Sequence, residues 1–195
     1  MSLVIAFIGS SGAAIAGDMR EITFQGTSKE LVQFEEELYS GEIATDDTLA
    51  ARARDLGIHL RIRDSKEKIR EQNGILVGEV FDFEGGVIRK RRLYVTTDRY
   101  ALAEIEGPKL TVTSTGKGCR FVILGNPITQ RIARDIIEDQ WKEGMLSDAV
   151  RFIISIMETA ARTTASVSKN YLLLQTTSRA DIEAGIEEDT KQLSR

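Results

Sequence analysis

The chain has 195 residues, 42% of them hydrophobic, and a formal charge of −4 from 26 basic and 30 acidic side chains. A chain of this length buries roughly 70% of the surface it exposes when unfolded, enough for one good core and one domain. The acidic balance argues against nucleic acid or another polyanion as partner. The single cysteine, Cys119, excludes an intramolecular disulfide and a cysteine-rich metal site, and fits a reducing cytoplasm.

Met1-Ser2 lead into the apolar run Leu3 to Ile8. No basic segment precedes that run, and it breaks at Gly9-Ser10-Ser11-Gly12, too soon for a signal peptide or a membrane span. Being apolar on both faces, it reads as an inner strand, forming a buried hairpin with Ala13 to Ala16. Helical spacing of Leu31, Phe34 and Leu38 predicts a helix over 29–39, and a second short helix is expected over 46–56, stopped by Gly57. Ile58 to Arg63 alternates as a half-exposed strand, and the charged stretch Asp64 to Gln72 is expected to form another short helix. Strands are predicted over 74–83, 87–96, 99–106, 109–114 and 121–124. Pro127 opens a helix carrying Ile128, Ile132, Ile136 and Ile137. Ser147 is expected to cap a second, with Ala149, Val150, Ile153, Ile154 and Met157. Lys169 to Thr177 closes the sheet as a strand, and 179–195 is a polar terminal helix expected to fray. Strands in runs followed by helices in runs argue for an α+β fold in layers rather than a doubly wound parallel sheet. Two apolar β segments and a late helix pair suit a four-layer αββα sandwich.

Elimination narrows the chemistry. His59 is the only histidine and sits among Leu60, Arg61 and Arg63 on an ordinary strand, which reads as a packed or solvated side chain rather than a triad base. Gly9-Ser10-Ser11-Gly12 lacks the GxSxG pattern, and Gly116-Lys117-Gly118 lacks the spacing of a phosphate loop, so both read as turns. No HExxH, EF-hand or CxxC spacing occurs; no metal and no cofactor are expected. Arg89-Lys90-Arg91-Arg92 is split between two faces by strand alternation. An N-terminal serine escapes these objections because, once Met1 is removed, it brings its own base. The α-amine titrates near 8 and can take the proton of the serine hydroxyl; a nearby lysine ammonium would favour its neutral, proton-accepting form, and a carboxylate would hold both in place.

Ser2 opening an apolar strand, the glycine-containing turn, and Gly17-Asp18-Met19-Arg20 resemble the start of proteasome β subunits, which are N-terminal nucleophile hydrolases. The sixteen-residue step from Ser2 to Asp18 matches the place where that family keeps its aspartate. The resemblance implies a catalytic lysine, for which Lys90 is taken, shortly before Arg91-Arg92-Leu93-Tyr94. It further implies that Ser166, in Ala161-Arg162-Thr163-Thr164-Ala165-Ser166, completes the site. Thr163 replaces the family's supporting aspartate, and Asn126 of Gly125-Asn126 stands where the family has serine. Between Asp18 and Lys90 lie far more residues than the short hairpin that family needs, which implies an inserted α/β segment at about 27–84 within a single domain, 1–195.

With this insertion, and with Gly17 to Phe24, Gly85-Gly86 to Tyr94 and Thr164 to Lys169, the chain is similar over its full length to the connectases. These are proteasome-related protein ligases of methanogenic archaea. The resemblance implies cleavage of a Lys-Asp-Pro-Gly-Ala motif between Asp and Pro and reversible rejoining to a proline-starting chain, with one subunit of the methanogen methyltransferase complex as protein substrate. Arg20, Arg61, Arg63 and Lys66 are the expected substrate-binding cations. A monomer is expected, neither membrane-inserted nor bound to nucleic acid. A peptidase that only hydrolyses, and a noncatalytic peptide-binding module, stay open as alternatives.

Overall fold

The computed structural model describes residues 3–84 and 87–193. Its first two strands, β1 (Leu3–Gly9) and β2 (Gly12–Asp18), are buried along their whole length and pair as the expected hairpin, with Val4 opposite Gly17. A short strand that the sequence reading passes over, β3 (Glu21–Gln25), follows at once. Helices α1 (Ser28–Ser40) and α2 (Asp46–Asp55) lead into β4 (His59–Arg63), which pairs with β3. Phe34, Leu38, Ile43, Leu49 and Ala53 form the core of this small unit. The expected helix over 64–72 is absent: the charged stretch is extended and ends in β5 (Ile69–Gln72), because its one apolar residue, Ile69, is needed as a strand residue in the main core.

The chain then runs through β6 (Ile75–Glu84), β7 (Val87–Thr96), β8 (Arg99–Glu106) and β9 (Lys109–Lys117). With β5 these make a five-stranded antiparallel sheet in sequential order. Strand β10 (Arg120–Gly125) returns to the first sheet and pairs with β1, and β11 (Tyr171–Thr176) pairs with β2, giving the order β10-β1-β2-β11. Between them lie α3 (Pro127–Gln140) and α4 (Leu146–Thr163). The N-cap of α4 is Met145, not Ser147; the Asp148 carboxylate accepts its backbone N–H at 3.0 Å, so the acidic residue in the first turn supplies the cap.

Strand alternation sorts the side chains between the layers. Leu3, Ile5 and Phe7 of β1 pack with Ala133, Ile153 and Met157 of α3 and α4, while Val4, Ala6 and Ile8 pack with Leu76, Val80, Leu93 and Val95 of the larger sheet. Each of these side chains larger than alanine, once taken from water, contributes about 1.5–3 kcal/mol. The two sheets approach closely at Gly78, where a Cβ would lie 2.7 Å from Val4 Cγ1 and 2.8 Å from Ile15 Cδ1. The opposite face of the larger sheet, with Val77 and Tyr94, is covered by α5 (Ile182–Leu193), whose Ile182 and Asp189 are buried. The terminal helix is therefore docked rather than frayed. Among the described residues, no helix is long and apolar enough to cross a membrane, and no cluster of histidine, cysteine and carboxylate side chains could hold a metal ion.

Candidate active site

The site is built at the end of the front hairpin. Asp18 is the last residue of β2 and is fully buried. Its Oδ1 accepts the backbone N–H of Leu3 at 2.7 Å and the ammonium of Lys68 at 2.6 Å, and its Oδ2 accepts the backbone N–H of Arg20 at 2.8 Å. The carboxylate thus grips the first described residue of the chain, the one that follows Ser2. Met1 and Ser2 themselves lie outside the described residues.

Lys68, not the expected Lys90, reaches Asp18. It immediately precedes β5 and is buried under the first sheet, where burial outweighs the Asp18 carboxylate and lowers its pKa. Lys90 lies elsewhere for a reason of parity: it is paired in register with Phe81 and shares a face with Arg92 and Tyr94, the face turned toward α5. Leu93, three residues on, faces the other sheet. The Lys90 ammonium is held by Glu79 at 2.8 Å.

Asn126 and Ser166 come to the same region by different routes. In register, Leu3 stands opposite Gly125, the last residue of β10, and Asn126 follows it as the residue that opens α3. Its Oδ1 caps α3 by accepting the Thr129 N–H at 3.0 Å. Ser166 is fully buried in the turn after α4, with its Oγ 3.1 Å from Thr164 Oγ1. Thr163, in contrast, is exposed and donates back to the Thr159 carbonyl within its helix. Two further buried hydroxyls in this turn escape sequence inspection: Thr164, and Ser168, whose Oγ accepts the Met19 N–H at 3.0 Å. The only sequence hint is the alternation Thr164, Ser166, Ser168.

Of the four expected substrate-binding cations, Arg20 is engaged internally. Its guanidinium donates twice to Asp64 at 2.8 Å, to both oxygens of Asp46 at 2.5 and 3.1 Å, and to the Ala165 carbonyl at 2.8 Å, which uses all five donors. These carboxylates hold its pKa above the ordinary arginine value. Arg63 and Lys66 both pair with Glu21, the latter at 2.6 Å, and hold its carboxyl down to about 2. Arg61 is exposed on β4. Beside Arg20 opens a cavity of about 750 Å³, walled by Asp46, Asp47 and Asp64 on one side and by Arg162, Thr164 and Lys169 on the other. Its walls are the start of α2 and the residues leading into it, Asp64 just after β4, and the end of α4 with the turn that leads to β11.

Comparison with known proteins adds the following. A family model described as "Connectase MJ0548-like, N-terminal domain" matches residues 1–191. No curated protein matches the chain. Among solved structures, the chain is similar to Anbu (ancestral beta-subunit) from Yersinia bercovieri at 11% identity and a TM-score of 0.43, over 97% of this chain and 91% of that one. An Anbu (Gly-1) mutant from Hyphomicrobium sp. strain MC1 is 11% identical with a TM-score of 0.41, over 100% of this chain and 93% of that one. A helical assembly of the Anbu complex from Pseudomonas aeruginosa is 12% identical with a TM-score of 0.40, over 98% and 92%.

Proposed function

As the chain belongs to the connectase family, we propose that it is a sequence-specific transpeptidase whose nucleophile is Ser2 after removal of Met1. It cuts a Lys-Asp-Pro-Gly-Ala-type motif between Asp and Pro, holds the acyl part on its own N-terminus, and rejoins it to a proline-starting polypeptide. The protein substrate is of the kind represented by the motif-bearing component of the methanogen methyltransferase complex. In this reading the stack of α3/α4, two sheets and α5 is the four-layer sandwich of N-terminal nucleophile hydrolases, carrying an insertion.

The observation that carries the proposal is the buried Asp18–Lys68 pair, fastened by Asp18 to the Leu3 N–H, one residue from Ser2. A lysine ammonium at this depth favours the neutral form of a neighbouring α-amine, which then accepts the Ser2 hydroxyl proton as Oγ attacks the substrate carbonyl. Collapse of the tetrahedral adduct expels the proline nitrogen, which takes the proton back, and leaves an ester on Oγ. The α-amine then captures the acyl group through a five-membered ring; such intramolecular steps reach effective molarities on the order of 10⁵ M or more. The product is an amide, so the energy of the original bond is kept and an incoming proline amine can reverse the sequence. The cavity beside Arg20 has the size and the mixed charge to take an extended peptide.

Intact-protein mass spectrometry after mixing with a motif peptide tests the reading. The mass should rise by the acyl fragment, Ser2→Ala should abolish the gain, and a proline-starting peptide should discharge it. An unchanged mass on protein lacking Met1 overturns the proposal. Product accumulation without exchange makes the protein a peptidase, and tight binding without an adduct makes it a peptide-binding module.

A further inference from the structure

We propose that the side-chain amide of Asn126 is the oxyanion donor of this acyl transfer. The inference rests on the acyl-transfer reading above and names the group that stabilises its transition state.

Asn126 is 5% exposed, and its Oδ1 is committed to the Thr129 backbone N–H at 3.0 Å. That bond settles which end of the carboxamide is oxygen, since an N–H cannot face an amide NH₂. The backbone carbonyl of Asn126 meanwhile accepts from Thr129 Oγ1 at 3.0 Å and from the Gln130 N–H at 3.0 Å, so the residue is fixed by three bonds from the first turn of α3. Yet its Nδ2, with two protons to donate, is buried and meets no acceptor among the described residues. A buried donor left unmet costs stability, and chains retain such groups where a ligand completes them.

Its location says which ligand. Asn126 directly follows Gly125, the last residue of β10 and the register partner of Leu3. The Leu3 N–H is the one that Asp18 accepts, and the Lys68 ammonium sits on the same carboxylate oxygen, so Asp18 and Lys68 lie at this same end of β1. The site therefore holds a carboxylate, a cation, and an unmet N–H donor pair, which lacks only a neutral or anionic oxygen. As Oγ bonds to the carbonyl carbon, the C=O electron pair moves onto oxygen, and Nδ2–H donates to that oxyanion. When the pair returns, the C–N or C–Oγ bond breaks and the donor is released unchanged. A donor already fixed by helix capping needs no reorganisation as the charge develops.

Asn126→Asp keeps the oxygen that caps α3 and removes the donor; Asn126→Gly removes the side chain altogether at a capping position that tolerates glycine. The rate of adduct formation at saturating motif peptide, followed by intact mass, should fall 10²- to 10³-fold in Asn126→Asp and at least tenfold in Asn126→Gly, with KM little changed. If Asn126→Asp fails to fold, as judged by its thermal transition, Asn126→Gly decides. A folded variant whose turnover stays within threefold of wild type, or whose loss lies wholly in KM, overturns the assignment while wild-type adduct formation keeps the parent reading standing. A wild-type protein that forms no adduct overturns both.

Discussion

Replacing Lys68 by methionine removes the ammonium from a fully buried carboxylate while leaving a side chain of similar length. Asp18 keeps two backbone N–H donors, from Leu3 and Arg20, but loses its counter-ion. Breaking one partner of a buried ion pair costs about 3–5 kcal/mol. With a urea dependence of ~2 kcal/mol per molar, the unfolding midpoint should fall by ~1.5–2.5 M. The internal control lies two residues away. Lys66 makes an ion pair of the same 2.6 Å length with Glu21, but its side chain is 36% exposed against 3% for Lys68. Lys66→Met should therefore cost under about 1 kcal/mol, the range of exposed pairs. Urea titration of both variants followed by circular dichroism is sufficient. Equal shifts would refute the claim that burial, rather than contact distance, sets the worth of these bonds, and so would a Lys68→Met midpoint within ~0.3 M of wild type.

Glu21 supplies a pH test. Its folded pKa of about 2 lies below the ordinary 4.5, so its contribution to stability is complete above about 4.5 and is lost as pH falls toward 2. The stability gap between wild type and Glu21→Gln should accordingly be constant from pH 7 to 5 and close between 4.5 and 2, as read by thermal melts. Asp189→Ala should loosen α5, because the carboxylate accepts from Arg92 at 2.5 Å and from the Tyr94 hydroxyl at 2.7 Å, both within the outer face of the larger sheet. The expected loss is about 3 kcal/mol or more, since a buried guanidinium is left without one of its partners, with faster proteolysis of the terminal helix. A variant as stable as wild type would show that α5 docks through its apolar residues Ile182 and Ile186 without the help of this carboxylate.

The front hairpin and the pairing of helices α3 and α4 were legible because their apolar residues have a single periodicity that admits one burial pattern. Asp18 was singled out in the sequence by its distance to Ser2, and the structure buries it against the Leu3 N–H. Lys68 was not singled out. In Asp64-Ser65-Lys66-Glu67-Lys68 two lysines stand at equal parity in a polar run, and nothing local distinguishes the exposed one from the buried one. The difference arises from packing: a Cβ on Gly17 would lie 3.5 Å from Lys68 Cβ and 2.8 Å from Ile69 Cγ2, so the absence of a side chain at Gly17 makes room for that segment against β2. The choice of Lys90 failed for a simpler reason, since three residues from Leu93 is an odd step on a strand and reverses the face. The docking of α5 was hidden because its anchor, Asp189, is a charged residue on a polar helix, and its partners Arg92, Tyr94 and Arg70 lie on strands distant in sequence.

The Arg20 guanidinium joins three pieces of chain remote in sequence: Asp46 at the start of α2, Asp64 after β4, and the carbonyl of Ala165 beyond α4. Every donor is used, so none of these bonds can be exchanged for another without a vacancy. Through Arg20 the unit carrying α1 and α2 is thus tied to the turn after α4 at the rim of the cavity. Heating should therefore melt the appended unit together with the rest of the molecule in one cooperative step rather than ahead of it.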